Sequence, residues 1–180
     1  MSAIYLQIYQ SPYGPMILGS FDNQLCLCDW QYRKARRSID YRLQQGLKAK
    51  PIQLGPEHKI AVLEQTQQQL GEYFFGTRNE FPLPILTVGT PFQESVWQSL
   101  QQIRYGETST YSRLAASIDK RAAVRAVANA NAANALSIII PCHRIIGSDG
   151  NLTGYAGGIV VKEKLITLEK QLFNAHVSNG

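Results

Sequence analysis

The sequence predicts an α+β protein in which a strand-rich N-terminal domain precedes a mostly helical C-terminal domain. Three observations support this prediction. Three short β-rich runs separated by turn residues fill the first 30 positions. Helical periodicity with capping signals dominates from position 89 onward. Between them lies an extended connector, residues 82–88, whose two prolines indicate a domain boundary that divides the chain into 1–85 and 86–180.

The composition is that of an ordinary globular protein. The 180 residues are 44% hydrophobic and 17% charged, and 18 Lys plus Arg against 13 Asp plus Glu give a formal net charge of +5. This modest excess permits an anionic partner without requiring one. Because no run has the length of a membrane span and the first residues lack a signal-peptide pattern, we expect no membrane partner and a cytoplasmic location.

The N-terminal half is predicted to hold strands at 4–9, 16–21 and 25–30, followed by a helix. Cys26 and Cys28 alternate with leucines on the third strand. Two cysteines without a second pair or a nearby histidine make a poor zinc site, so we interpret them as structural. Four cations then follow within 33–37, which indicates either a solvated face or a surface near nucleic acid.

The predicted helix of this half spans Glu57–Phe74 and ends at Gly76. The C-terminal half then begins with three short helices. Thr90–Gln93 forms a capping box with proline at the first helical position. Thr110 caps a second helix, and Asp119 is expected to cap a third, from Lys120 to about Asn131. Two short helices joined by a tight turn predict a helix-turn-helix unit.

The third of these helices has a cationic outer stripe of otherwise small side chains. Arg121, Arg125, Ala128 and Asn129 share this face, opposite two valines. Small residues let a helix backbone approach a partner closely, and arginine offers charge for phosphate or a plane that stacks on bases. Since alanine is also a good helix former, DNA contact and simple helix formation are both open at this point.

The most informative stretch is Ser137–Ile146, in which an apolar run predicts a buried strand that ends just before Cys142. His143 and Arg144 lie beside the thiol. An imidazole and a guanidinium beside the thiol are typical of a reactive cysteine, but an inert buried cysteine is equally open at this point. A glycine-rich loop and a final helix follow, with Glu169 on the border of the apolar face of that helix.

These residues resemble one known family. The segment Ile140-Pro-Cys-His-Arg-Ile145 is similar to the active-site signature of the O6-alkylguanine-DNA alkyltransferases, also called methylated-DNA–protein-cysteine methyltransferases. The further matches, in the same order and spacing, are Gly89–Gln93, Val96-Trp97, Tyr105–Thr108, Arg125–Val127, Asn134, Tyr155–Gly158, Lys162-Glu163 and Leu168-Glu169. The resemblance is strong over 70–172. It implies a ribonuclease-H-like N-terminal domain and a winged helix-turn-helix-like catalytic domain that docks in the DNA minor groove.

The resemblance also implies a role for each site residue. Cys142 is the nucleophile that takes the alkyl group from guanine O6 once, His143 is a base that acts through a water, and Glu169 orients that base. Asn134 ties the recognition helix to the cysteine segment. The residues implied to contact DNA or the flipped base are Tyr111, Arg121, Arg125, Ala126, Ala128, Ile145, Tyr155, Ala156 and Gly157.

Two of these residues carry the extrusion of the damaged base in the family. Arg125 matches a finger that enters the base stack, and Tyr111 matches the residue that crowds the phosphate and hydrogen-bonds the extruded base. The backbone carbonyls of Cys142 and Ile145 are implied acceptors for the exocyclic amine. The loop 155–158 is the implied pocket wall.

The implied partner is double-stranded DNA containing O6-alkylguanine, bound by a monomer without cofactor or metal, in the cytoplasm on the nucleoid. O4-alkylthymine is a further implied substrate. Three positions depart from the common pattern: Ala156 replaces serine, and Ala135 and Arg104 each replace proline. These changes bear on substrate range rather than on the reaction.

Two other functions are alternatives. A cysteine hydrolase would need a distant histidine, for which only His58 and His176 remain, and it would turn over. A DNA-binding regulator would use the helix-turn-helix without chemistry, and the presence of Cys142 argues against it.

Overall fold

The computed structural model describes residues 2–178, and the chain divides into two compact units between Gly89 and Thr90. The first unit contains β1 (Ala3–Ser11), β2 (Gly14–Phe21), β3 (Gln24–Trp30), α1 (Arg36–Leu47), β4 (Lys50–Gln53) and α2 (Ala61–Phe75). The second contains α3 (Pro91–Leu100), β5 (Ser109–Thr110), α4 (Tyr111–Ser117), α5 (Val124–Ala132), a 3-10 turn (Cys142–Arg144), β6 (Ile145–Ile146) and α6 (Ile159–Ser178). The predicted α+β class is confirmed.

The first unit is built on a four-stranded sheet in the order β3-β2-β1-β4, antiparallel except for the parallel pair β1–β4. The three predicted strands are present. Asp22 and Asn23 both have positive φ angles, 48° and 56°, which suits a tight hairpin turn between β2 and β3. Helix α1 and strand β4 were not predicted from the sequence. Every residue of β4 is exposed, so this strand has no alternation of buried apolar residues to detect.

Helix α2 packs against β1, β2 and β3, and it buries Val62, Leu63 and Leu70. It begins at Ala61 rather than at the predicted Glu57. Residues 55–58 form a turn instead, in which the His58 N–H donates to the Gly55 carbonyl at 3.2 Å. The helix ends where predicted, because Gly76 adopts a left-handed φ of 89° that favours glycine.

Part of the basic run after β3 stabilises the fold. The Asp29 carboxylate is fully buried, and it accepts from Arg33 at 3.0 Å and from Arg36 at 3.2 Å. A buried carboxylate requires such partners, since leaving it unpaired would cost several kcal/mol. Lys34 and Arg37 are exposed, so they are the members of the run that face solvent.

The second unit begins with the predicted capping box. The Thr90 hydroxyl accepts from the Gln93 N–H at 3.2 Å, and the Gln93 side chain accepts from the Thr90 N–H at 3.0 Å. Helix α3 packs against α4 and α5, and Trp97 Nε1 donates to the Ala130 carbonyl at 2.8 Å. None of the helices within residues 2–178 combines the length and apolar character that crossing a membrane requires.

The third predicted helix of the C-terminal half begins later than expected. Asp119 adopts a left-handed φ of 56° and its N–H closes α4 on the Ala116 carbonyl, so it does not cap a following helix. Residues 121–122 form a turn, and α5 begins at Val124. Arg121 therefore lies in the turn before the helix, and its predicted place on the helix face is wrong.

Candidate active site

The segment that leads to Cys142 is a buried turn rather than the predicted strand. Ser137 and Ile140 form an isolated bridge, and the Ile140 N–H donates to the Leu136 carbonyl at 2.8 Å. Ile138 has a φ of 72°, which is strained for a β-branched residue and is incompatible with a continuous strand. The strand prediction is wrong because apolar β-branched residues are typical of any buried extended segment.

Asn134 holds this turn together in place of a neighbouring strand. Its side-chain amide donates to the Ile140 carbonyl, and its side-chain oxygen accepts from the Leu136 N–H, each at 2.9 Å. Both bonds are buried, where an unmet backbone group costs about 1–3 kcal/mol. The asparagine lies just after α5, so it fixes the cysteine segment relative to that helix.

Cys142 begins the 3-10 turn after Pro141, and its side chain is a thiol that forms no disulfide within residues 2–178. The residue is 4% exposed, and its N–H donates to the Ile140 carbonyl at 2.8 Å. The backbone of Cys142 is therefore held within a buried turn.

His143, the next residue, is completely buried and pairs with Glu169 of α6. Its Nε2 lies 2.7 Å from Glu169 Oε1. Since a carboxylate only accepts, we assign the ring proton to Nε2, which leaves a lone pair on Nδ1. Within residues 2–178, Nδ1 is a buried atom with no hydrogen-bond partner. The pair is thus set to receive a proton at Nδ1 and to stabilise the resulting cation through Glu169.

Arg144 binds the same carboxylate from a second direction. Its Nε and Nη2 donate to the two oxygens of Glu169 at 2.8 and 3.1 Å, and its Nη1 donates to the Ile103 carbonyl at 2.6 Å. Burial opposes the charged form, but His143 and Arg144 together hold the pKa of Glu169 well below its usual value. The guanidinium charge, which the sequence analysis placed beside the thiol, is directed at Glu169.

Lys162 is the site residue that the sequence analysis missed. Its side chain is fully buried on α6, and its ammonium donates to the Thr153 carbonyl at 3.1 Å. Burial lowers its pKa to about 8, and the charge interaction with Cys142 opposes that fall. Residues 162, 165, 166 and 169 of α6 are buried, a stripe at helical spacing. This spacing places Lys162 on the same face as Glu169, although it does not show which group pairs with a buried ammonium.

Comparison with known proteins identifies the family. Residues 91–171 match the family model described as the DNA-binding domain of 6-O-methylguanine DNA methyltransferase. A methylated-DNA–protein-cysteine methyltransferase of Methanosarcina barkeri is 41% identical over 167 residues, which cover 93% of this chain and 98% of that protein. This chain belongs to the methylated-DNA–protein-cysteine methyltransferase family. It is accordingly a DNA-binding methyltransferase of DNA repair.

Further relatives of this methyltransferase agree in sequence and fold. The constitutive methylated-DNA–protein-cysteine methyltransferase of Bacillus subtilis is 48% identical over 116 residues, 63% of this chain and 70% of that protein. The crystal structure of Mycobacterium tuberculosis OGT in complex with DNA superposes with a TM-score of 0.77 at 34% identity, covering 93% of this chain and 94% of that one. These matches support the α+β fold with its helical C-terminal part.

The residues expected to contact DNA in the methyltransferase lie on the surface of the helix-turn-helix. Arg125 and Ala126 are exposed on α5, Ala128 is half-buried there, and Arg121 is exposed in the preceding turn. Tyr111 is the first residue of α4, and its hydroxyl is 2.9 Å from the hydroxyl of Thr153.

The residues expected to form the base pocket follow the 3-10 turn. Ile145 is buried on β6, which pairs with β5. Tyr155 presents its ring to His143 edge-on, with 6.3 Å between the ring centroids. Ala156 and Gly157 are half-buried in a turn closed by the Gly158 N–H on the Tyr155 carbonyl at 3.0 Å. No cluster of three or more His, Cys, Asp or Glu side chains that could hold a metal ion occurs within residues 2–178.

Proposed function

We propose that this methyltransferase repairs O6-alkylguanine in double-stranded DNA by a single transfer of the alkyl group to Cys142. The observation that carries the proposal is the arrangement around the thiol. A histidine with a free ring nitrogen follows it, a buried carboxylate holds that histidine, and the ammonium of Lys162 lies nearby. The DNA complex of the M. tuberculosis relative supports DNA as the partner.

The proposed reaction begins with the loss of the Cys142 proton. A water carries this proton to Nδ1 of His143, and Glu169 stabilises the imidazolium that forms. The thiolate then attacks the saturated carbon on O6, so that a carbon–sulfur bond forms as the carbon–oxygen bond breaks. The electron pair of the broken bond remains on the guanine, which leaves after accepting a proton on its ring. Because the thioether product resists hydrolysis, each protein molecule reacts once.

The proposed approach to DNA uses the minor groove and the exposed face of α5. Extruding a base costs a few kcal/mol, and Arg125 entering the stack offsets part of that cost. Tyr111 hydrogen-bonds the extruded base, and the carbonyls of Cys142 and Ile145 accept from its exocyclic amine. The backbone amide of Ala156 faces the O6 atom. O4-alkylthymine is the second substrate that we propose for this pocket.

The proposed setting is a monomer acting on nucleoid DNA in the cytoplasm. None of Cys26, Cys28 and Cys142 forms a disulfide, which fits a reducing compartment. Burial raises the pKa of Cys26 to about 12, so this thiol is a poor nucleophile and does not compete for the alkyl group.

The stoichiometry of transfer tests this proposal. The protein is incubated with an excess of duplex carrying O6-methylguanine, and its intact mass is measured over time. We expect one added methyl group and no further reaction, and none in Cys142→Ala. Release of more than one methyl group per protein would support a hydrolase instead, and a wild-type protein that binds DNA without gaining mass would support a regulator.

The role of Arg125 is tested by comparing two substrates. Arg125→Ala should slow transfer from duplex DNA more than transfer from a free alkylguanine base, because only the duplex requires extrusion. Lys170→Ala is the control, since it removes an exposed cation from α6. Equal slowing on both substrates would assign Arg125 a different role.

A further inference from the structure

We infer that Thr153 is a positioning residue that orients Tyr111 toward the extruded base, an inference that rests on the proposed function. Thr153 lies in the loop between β6 and α6, and it makes two hydrogen bonds, one through its side chain and one through its backbone. Its hydroxyl is 2.9 Å from the Tyr111 hydroxyl, and its carbonyl accepts from Lys162 Nζ at 3.1 Å. One loop residue therefore joins the tyrosine of α4 to the buried lysine of α6.

The bond to Lys162 fixes the backbone of Thr153. The lysine is fully buried, so its ammonium needs acceptors, and the Thr153 carbonyl is one of them. The Lys162 N–H also donates to the Gly158 carbonyl at 3.1 Å, which sets the start of α6. A second tie precedes Thr153, where the Gly147 N–H donates to the Asn151 carbonyl at 2.9 Å. The loop is thus held on both sides of the threonine.

The hydroxyl pair determines what Tyr111 can offer a substrate. Each hydroxyl has one proton and two lone pairs, so either can donate to the other. When Thr153 donates to the tyrosine oxygen, the tyrosine proton remains available for a ring nitrogen of the base. A chain of hydroxyls that donate in one direction also strengthens its last donor. Thr153 therefore prepares Tyr111 as a donor to the leaving guanine.

Because water can reach the hydroxyls of Thr153 and Tyr111 in the free protein, we expect their hydrogen bond to matter during the reaction rather than before it. Thr153 is exposed and Tyr111 is half-buried, so water competes for both hydroxyls in the free protein. A docked duplex covers them and excludes that water, and hydrogen bonds gain strength in the drier environment. We therefore expect the threonine hydroxyl to affect the rate of transfer and not the affinity for undamaged DNA.

The test compares Thr153→Val, which removes the hydroxyl but keeps the β-branch and the carbonyl, with Thr153→Ser, which keeps a hydroxyl. A neutral hydrogen bond predicts transfer from saturating O6-methylguanine duplex that is roughly 3- to 10-fold slower in the valine variant and within about 2-fold of wild type in the serine variant. In a Tyr111→Phe background, Thr153→Val should have no further effect. The affinity for undamaged duplex should stay unchanged.

Four outcomes would overturn the inference. They are a wild-type rate in Thr153→Val, equal slowing by Thr153→Val with and without the Tyr111 hydroxyl, faster transfer in Thr153→Val, and slower alkylation of Cys142 by iodoacetamide in that variant. The last would mean that the threonine acts through Lys162. Thr153→Ala provides the same comparison if the valine variant does not fold. A wild-type protein that fails to accept the methyl group would refute the proposed function, whereas a wild-type rate in Thr153→Val would refute only this inference.

Discussion

The substitution Glu169→Gln tests the buried charge cluster that orients His143. The Glu169 carboxylate accepts from His143 Nε2 at 2.7 Å, from Arg144 Nε and Nη2 at 2.8 and 3.1 Å, and from the Gly106 N–H at 3.4 Å. Glutamine keeps the shape and one acceptor oxygen, but it removes the charge. It leaves the Arg144 guanidinium, which is 7% exposed, without its anion.

The expected cost follows from this burial. Removing one partner of a buried ion pair costs about 3–5 kcal/mol, and the retained oxygen of glutamine places the expected loss near 3 kcal/mol. The glutamine oxygen can still accept from Nε2 of His143, but without a negative charge it no longer stabilises the imidazolium that forms when Nδ1 takes up a proton. A disrupted general base predicts transfer that is about 100-fold slower.

Urea denaturation followed by tryptophan fluorescence measures the loss of unfolding free energy in the second unit, which contains Glu169. The two tryptophans are both buried, Trp30 in the first unit and Trp97 in the second. In a Trp30→Phe background, Trp97 therefore reports the unit that contains Glu169. A loss of about 3 kcal/mol lowers the urea midpoint by roughly 1–3 M.

The control is Glu163→Gln, which removes an exposed carboxylate from the same helix and should change the unfolding free energy by less than about 0.5 kcal/mol.

The pH dependence of the unfolding free energy provides a second check. Because the folded-state pKa of Glu169 lies below the unfolded value of about 4.3, its stabilising effect is complete above that pH and decreases as the pH falls further. The difference between wild type and Glu169→Gln should shrink accordingly. A loss equal to that of Glu163→Gln, or one independent of pH in this range, would refute the reasoning.

Three further substitutions test other parts of the structure. Lys162→Met should slow alkylation of Cys142 by iodoacetamide at pH 7, since the ammonium that stabilises the thiolate is then absent. An unchanged rate would mean that Lys162 does not stabilise the thiolate. Asn134→Ala should lower the unfolding free energy by about 2–4 kcal/mol in urea, because two buried backbone groups lose their partners, and a loss below about 1 kcal/mol would contradict that role. Gly76→Ala should cost about 1 kcal/mol, measured in the same way, because alanine is strained at a φ of 89°; no loss would mean that α2 ends differently.

The sequence correctly predicted those features that are stabilised by residues close together in the chain. Thr90 and Gln93 lie three residues apart, and their reciprocal bonds are visible in the sequence as a capping box. Gly76 likewise ends α2 through its own backbone angle. The reactivity of Cys142, predicted from its neighbours and from the family resemblance, stays a prediction.

Contacts between distant residues account for what the sequence did not reveal. Arg144 seemed to be a neighbour of the thiol, yet its main partner, Glu169, is 25 residues away. The apolar run before Cys142 indicated burial correctly, but it could not show that Asn134 would satisfy its backbone. Lys162 was missed because burying an ammonium costs free energy unless the fold provides partners, and the sequence does not show that Thr153 is one.

The acceptor role of Cys142 is tested most directly with a duplex whose guanine carries a deuterated O6-methyl group. After the reaction, the protein is digested and the peptide that contains the label is identified by mass spectrometry. We expect one deuterated methyl group per protein, carried by the sulfur of Cys142 and retained on prolonged incubation. Label on another residue, or label released from the protein as methanol, would contradict single-use transfer to this cysteine.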